Sequence, residues 1–206
     1  AERLFMKKVP LQKQGSSPNF IGSWIIHPLS ISDELIDYFE ANKNKQKRPV
    51  TIKGSNLNEK NSTDIKITPK EIKLPGNEVF REYFQKLFFC YKDYVTDWPF
   101  LALFGEKLDI GSFNLQRYQS GQHFQKLHAE RGSLNTLHRV FAWMTYLNDV
   151  HQDDGGSTFF SHYDLKIQPR KGLTLIWPAE WTHAHRGNPV ISGSKYIITG
   201  WLHFPE

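Results

Sequence analysis

Beyond residue 110 this chain changes its grammar. Its helical patterns lie up to residue 97, at 32–41 and 77–97, whereas after residue 110 it reads as a run of short strands. A chain of 206 residues with helices early and strands late has few ways to bury both kinds of apolar face. The expected class is α+β, with the N-terminal helices packed on one sheet of a β core. Many short strands separated by turn residues suit a double-stranded β-helix, or jelly roll, with a polar site in its mouth. The length fits a single domain over residues 1–206, with 1–110 as N-terminal helical support and 111–206 as the jelly-roll core.

Residues 21–26 read as a first strand. Residues 32–41 read as a helix capped by Ser30 or Ser32, with Leu35, Ile36 and Phe39 on one face. The most regular helix is expected over 77–97, where Val79, Phe80, Tyr83, Phe84, Leu87, Phe88 and Tyr91 form a stripe best read as core. Trp98 and Pro99 end it. A short strand is expected at 64–68. Later strands are expected at 113–118, 140–148, 157–160, 173–177 and 195–204, with Asp153-Asp-Gly-Gly156 as a turn.

The formal net charge is +5, and the basic excess lies between residues 41 and 75. That stretch lacks interleaved aromatics, so a solvated, mobile surface accounts for it better than a nucleic-acid interface. Residues 42–62 read as a long polar loop, a candidate cover for a site. The one cysteine, Cys90, falls in a helical pattern and reads as core. No apolar run reaches the ~20 residues of a membrane helix, and residues 1–8 carry no signal-peptide core. A cytoplasmic protein is therefore expected, with no membrane partner.

The chemistry concentrates near the C-terminus. His183 and His185 sit two apart in a segment that reads as a strand, so both would project from one face. A turn of Gly187, Asn188, Pro189, Ser192 and Gly193 follows. Lys195, Ile197, Thr199 and Trp201 then share a face of a return strand. A hairpin bearing an imidazole on one arm and a lone ammonium on the other suits a chelating organic acid. Upstream, His128-Ala-Glu130 could offer two ligands from one side. Two imidazoles and a carboxylate fit a non-haem Fe(II) oxygenase. A zinc hydrolase can use the same donors, although its helical H-E-x-x-H is absent. His183 rivals His185 as the distant ligand. His27, His123, His138, His151, His162 and His203 read as surface or structural groups.

From Tyr118 to the C-terminus the sequence resembles the 2-oxoglutarate-dependent Fe(II) dioxygenases, most of all their prolyl 4-hydroxylase-like branch. The matching residues are Tyr118, Gly121, Phe124 and His128-Ala-Glu130, then Arg139 before Tyr146-Leu-Asn148. Gly155-Gly-Ser-Thr-Phe-Phe160, His185-Arg-Gly-Asn-Pro-Val190, Lys195 and Trp201 complete the series in order and spacing. The resemblance implies that His128, Glu130 and His185 hold Fe(II). It implies that Lys195, with the hydroxyls of Tyr118 and Tyr146, takes the distal carboxylate of 2-oxoglutarate. Arg139 and Trp201 match positions that line the substrate pocket, and the Pro-Val offset and Lys195 spacing favour His185 over His183. Glu130 stands where most of the family has Asp. Arg139 and Tyr146 fall on opposite faces of an unbroken strand, so a bulge or an early strand start is required.

The implied activity hydroxylates an unactivated C–H bond while 2-oxoglutarate is decarboxylated to succinate. A peptidyl proline is the expected substrate, with a small molecule as the other candidate, dioxygen as co-substrate and ascorbate as a further cofactor. Two alternatives stand beside it. One is a nucleic-acid demethylase of the same superfamily, disfavoured because that branch binds its oxo acid with arginine where this chain has Lys195. The other is a non-catalytic jelly-roll binding module. Nucleic acid is not expected as a partner, and the sequence is silent on oligomeric state.

Overall fold

The computed structural model describes residues 5–11, 18–49, 56–104 and 107–206. In chain order its strands are β1 (Met6–Lys8), β2 (Gly22–Ile26), β3 (Thr63–Ile67), β4 (Asp109–Ile110), β5 (Phe113–Gln119) and β6 (Phe124–His128). They continue as β7 (Arg139–Tyr146), β8 (Thr158–Phe160), β9 (Leu165–Ile167), β10 (Leu173–Pro178), β11 (His185–Gly187) and β12 (Ser194–His203). The helices are α1 (Ser30–Ala41) and α2 (Glu78–Asp97). The larger sheet runs β1-β2-β10-β7-β12-β5-β3, with β4 on β12, and the smaller runs β6-β11-β8-β9. Among the described residues every strand pairing within them is antiparallel. Two such sheets face to face, with helices behind the larger, make the expected jelly roll.

Strand alternation builds two cores. On β7, Phe141 and Trp143 face the helices and join Phe80, Tyr83, Leu87 and Tyr94 of α2 and Leu35 and Phe39 of α1. Ala142, Met144 and Tyr146 face the smaller sheet and join Phe160, Leu165 and Trp177. On β12, Ile198 and Leu202 take the helix side, while Ile197 and Trp201 take the inter-sheet side. The N-terminal part is thus more than a helical support. β2 and β3 extend the same sheet, and a division at residue 110 cuts across it.

The bulge required by parity is present. His203 pairs with Arg139 and Leu202 with Phe141, so Val140 is an extra residue opposite β12. Val140 and Phe141 both pack on the helix side. Arg139 is thereby turned toward the space between the sheets, where it lines the cavity described below.

Several expectations fail locally. His183 and His185 do not share a strand face, because Trp181–His183 is a 3₁₀ turn and only His185 begins β11. Nor do they form one arm of a hairpin with the Lys195 strand. β11 pairs with β6 and β8, whereas β12 pairs with β5 and β7 in the other sheet. The connecting turn satisfies its backbone elsewhere: Asn188 N donates to Ser157 O, Val190 N to Gln122 O and Ile191 N to Asp154 O. Neither serine caps α1, whose N-cap residue is Leu29 with no side-chain bond. Phe88 lies outside the core at 56% exposure, on the solvent face of α2. Within the expected 42–62 loop, residues 43–45 form a 3₁₀ turn, Lys47 bridges to Asp64 and Asn61 to His123. Residues 50–55 lie outside those described. No described helix is long and apolar enough to cross a membrane.

Candidate active site

A cavity of about 300 Å³ opens between the two sheets. It is walled by Asn114, Gln116 and Tyr118 of β5, by Lys195, Ile197, Thr199 and Trp201 of β12, and by His128 and His185 of the smaller sheet. The two same-face sets on β5 and β12 follow directly from the period of two.

His128 stands opposite His185 across the β6–β11 pair. Their ring centroids are 4.4 Å apart. Glu130 lies two residues past His128, and its Oε1 is 3.6 Å from His128 Nε2 and 3.1 Å from His185 Nε2. One ligand atom from each of the three lies within 4.8 Å of the others. The imidazole tautomers follow from their other nitrogens. His128 Nδ1 is 2.7 Å from Lys126 O and His185 Nδ1 is 2.9 Å from His183 O. A carbonyl can only accept, so each Nδ1 carries a proton, and a neutral ring then aims its Nε2 lone pair at Glu130. Three lone pairs meeting at one point need a cation or a shared proton between them. Burial and the neighbouring His185 push His128 down to about 4, so it is neutral at ordinary pH. Burial alone would raise Glu130. The facing His185 and His128 rings and the Trp201 N–H lower it to about 2, so it is ionised.

Glu130 is held at both ends. Trp201 Nε1 donates to its Oε2 at 2.7 Å, and Arg139 Nη1 donates to its backbone carbonyl at 3.0 Å. The Arg139 guanidinium lies over the Trp201 ring at 3.7 Å. On the other flank, Phe124 stacks on His128 at 3.9 Å.

Lys195 is 3% exposed, donates to Gly156 O at 2.9 Å, and sits 4.7 Å from the Tyr118 ring. An ammonium has three donors, so this buried cation has capacity left for an anion. Burial pushes it down to about 8. Tyr118 lines the cavity and donates to Gln116 Oε1 at 2.9 Å, with Gln116 in turn near Asp64. Burial, then the Asp64 charge, keeps its phenol neutral. Tyr146 sits one layer back: its hydroxyl meets Thr158 Oγ1 at 2.5 Å, and Thr158 is the group that lines the cavity.

His183 is drawn away from the site, with Nε2 2.7 Å from Asn19 O and Nδ1 2.9 Å from Thr182 Oγ1. Lys60, read from sequence as part of a solvated surface, instead lines the cavity, 2.9 Å from Asp64 and over Phe124. Nothing in its polar, aperiodic context could reveal this. Its place depends on residues 59–61 docking on β6, where Lys126 N donates to Glu59 O. Thr158 was visible only as part of the Gly-Gly-Ser-Thr motif, without a role.

Residues 113–203 match the family described as the 2OG-Fe(II) oxygenase superfamily. Prolyl 4-hydroxylase subunit alpha-1 of Gallus gallus is 30% identical over a match covering 34% of this chain and 14% of that protein. Prolyl 4-hydroxylase 13 of Arabidopsis thaliana is 32% identical over 44% of this chain and 42% of its own length. The chain therefore spans less than half of either relative. Its fold is shared with the viral collagen prolyl hydroxylase of Paramecium Bursaria Chlorella virus-1, solved as a 2OG complex. That likeness covers 98% of this chain and 97% of that one, at a TM-score of 0.63 and 19% identity.

Proposed function

We propose, for a chain whose residues 113–203 match the 2OG-Fe(II) oxygenase superfamily, that it is an iron- and 2-oxoglutarate-dependent hydroxylase acting on a peptidyl proline. The observation that carries the reading is the convergence of His128 Nε2, His185 Nε2 and Glu130 Oε1 at one end of a cavity that also holds the buried ammonium of Lys195. His128, Glu130 and His185 would hold Fe(II), a donor set suited to that ion with positions left open. Bound iron would supply the activation of dioxygen coupled to decarboxylation of the oxo acid. Lys195 neutralises the distal carboxylate of 2-oxoglutarate, helped by the Tyr118 hydroxyl and by Thr158, which Tyr146 holds in place. Met144, Ile197 and Trp177 make the remaining walls apolar and keep water out. Lys60 and its neighbours Glu59 and Asn61, docked beside β6, close one side. Ascorbate as an accessory reductant rests on the resemblance alone.

A second cavity favours a peptide over a free amino acid. It is lined by Lys66, Gly111, His138 and His203 and shares Asn114, Arg139 and Trp201 with the first. An extended chain could place a proline against the flat Trp201 ring and continue past it. The indole suits a compact apolar ring. The test is mass spectrometry of proline-containing peptides, free amino acids and methylated oligonucleotides after incubation with Fe(II), 2-oxoglutarate and air. Hydroxylated peptidyl proline is the expected product. Oxidation of a free metabolite alone would remove the prolyl assignment, and demethylated oligonucleotide would favour the other branch.

A further inference from the structure

We infer that Trp201 is a positioning residue for the metal: its indole N–H fixes the Glu130 carboxylate, and this is what lets the chain use glutamate as a ligand. The inference rests on the ligand assignment of His128, Glu130 and His185.

A glutamate carries one more methylene than aspartate, which adds about 1.5 Å of reach and one more rotor to be frozen. Left to itself, such a carboxylate would sweep through positions that do not meet the imidazoles. Here both ends are fastened. Arg139 Nη1 holds the Glu130 backbone carbonyl at 3.0 Å, and Trp201 Nε1 holds Oε2 at 2.7 Å. That leaves Oε1 as the oxygen facing His185 and His128, at 3.1 and 3.6 Å. An oxygen engaged by an N–H donor is a poorer second ligand, so the carboxylate presents one oxygen to the metal. Arg139 serves the arrangement twice, because its guanidinium also lies on the Trp201 ring at 3.7 Å and limits the ring's rotation. The bulge at Val140 is what turns Arg139 to this side. An aspartate, shorter by about 1.5 Å of reach, should fall short of spanning from the indole N–H to the two imidazoles.

The test is a double-mutant cycle on metal affinity, with no turnover involved. Mn(II) is titrated into the full chain and free Mn(II) is followed by its electron paramagnetic resonance signal. Wild type, Trp201→Phe, Glu130→Asp and the double variant are compared, and thermal unfolding without metal is measured for each. Trp201→Phe keeps an aromatic ring under Arg139 and removes the donor. It should weaken Mn(II) binding about ten- to hundredfold, the usual effect of losing a partner of a metal ligand. The same change in the Glu130→Asp background should do little, since that carboxylate no longer reaches the indole. Equal loss in both backgrounds would assign Trp201 a general packing role and overturn the inference, as would undiminished affinity in Trp201→Phe. His128→Ala and His185→Ala are titrated alongside. If they bind Mn(II) like wild type, the ligand assignment itself fails and takes this inference with it.

Discussion

At the scale of single residues, the two histidines near the C-terminus make the sharpest contrast. His185 Nε2 faces Glu130, whereas His183 Nε2 is spent on Asn19 O. His128→Ala and His185→Ala should each abolish turnover and leave the thermal transition nearly in place. His183→Ala should keep substantial activity yet lower stability by about 1 kcal/mol, since it leaves the part-buried Asn19 carbonyl without this donor. Succinate release and thermal unfolding of the three variants separate these outcomes. Lys195 gives a pH signature. Its folded value of about 8 lies below the ordinary 10.5, so the unfolded chain binds more protons between those values. The ligand-free protein should therefore gain stability as pH rises through that window, by up to ~3 kcal/mol at ~1.4 kcal/mol per pH unit. Affinity for 2-oxoglutarate should move the opposite way and fall above pH 8, as the ammonium is lost. Lys195→Met should flatten both trends and weaken 2-oxoglutarate by tens- to thousands-fold, from the ~2–5 kcal/mol lost with one partner of a buried charge pair. An unaltered affinity in that variant would take Lys195 out of the site.

At the scale of elements, β12 is the strand on which both cores depend. Gly200 pairs with Trp143, and a Cβ there would stand 2.5 Å from the indole Cζ2 and 2.9 Å from Phe113 Cβ. Gly200→Ala should thus cost about 1–3 kcal/mol through overpacking, read as a lower midpoint in urea. Trp143 itself has a buried Nε1 with no partner among the described residues. Trp143→Phe should cost less than the lost volume implies, while Trp143→Ala should cost about 3–5 kcal/mol. The segment docked on β6 is the other informative element. Lys60→Ala opens one wall of the cavity, and the ratio of succinate to hydroxylated product should rise as water enters. A ratio identical to wild type would mean that this wall does not govern access.

At the scale of the whole molecule, we propose that residues 1–110 and 111–206 fold as one unit. β12 and β7 bury Ile198, Leu202, Phe141 and Trp143 against α1 and α2, and β5 pairs with β3. A fragment of residues 111–206 would expose that face and leave both β5 and β10 without an outer neighbour. It should aggregate or lack a cooperative unfolding transition in urea, whereas the full chain should unfold in one step. A fragment that unfolds cooperatively would restore the division.

What the sequence determined by itself was everything that depends on local period and motif spacing. The alternation of Asn114, Gln116 and Tyr118, and of Lys195, Ile197, Thr199 and Trp201, put each set on one strand face, and those faces wall the cavity. The opposed parity of Arg139 and Tyr146 called for a bulge or an early strand start, and the structure has the bulge at Val140. The order of His128, Glu130, His185 and Lys195 pointed to a single site. Only the tertiary structure decided which sheet each strand joins. A two-residue spacing cannot tell a strand from a 3₁₀ turn, so His183 and His185 parted company there. Nor can a polar loop announce that one of its lysines will be lowered into a cavity. Lys60 reaches it because Glu59 O accepts from Lys126 of β6 and Asn61 pairs with His123 just before that strand, partners some sixty residues away in the chain. The indole bond to Glu130 likewise joins residues 71 positions apart. Local period is set by backbone geometry within a few residues, while such contacts exist only once the sheets have packed.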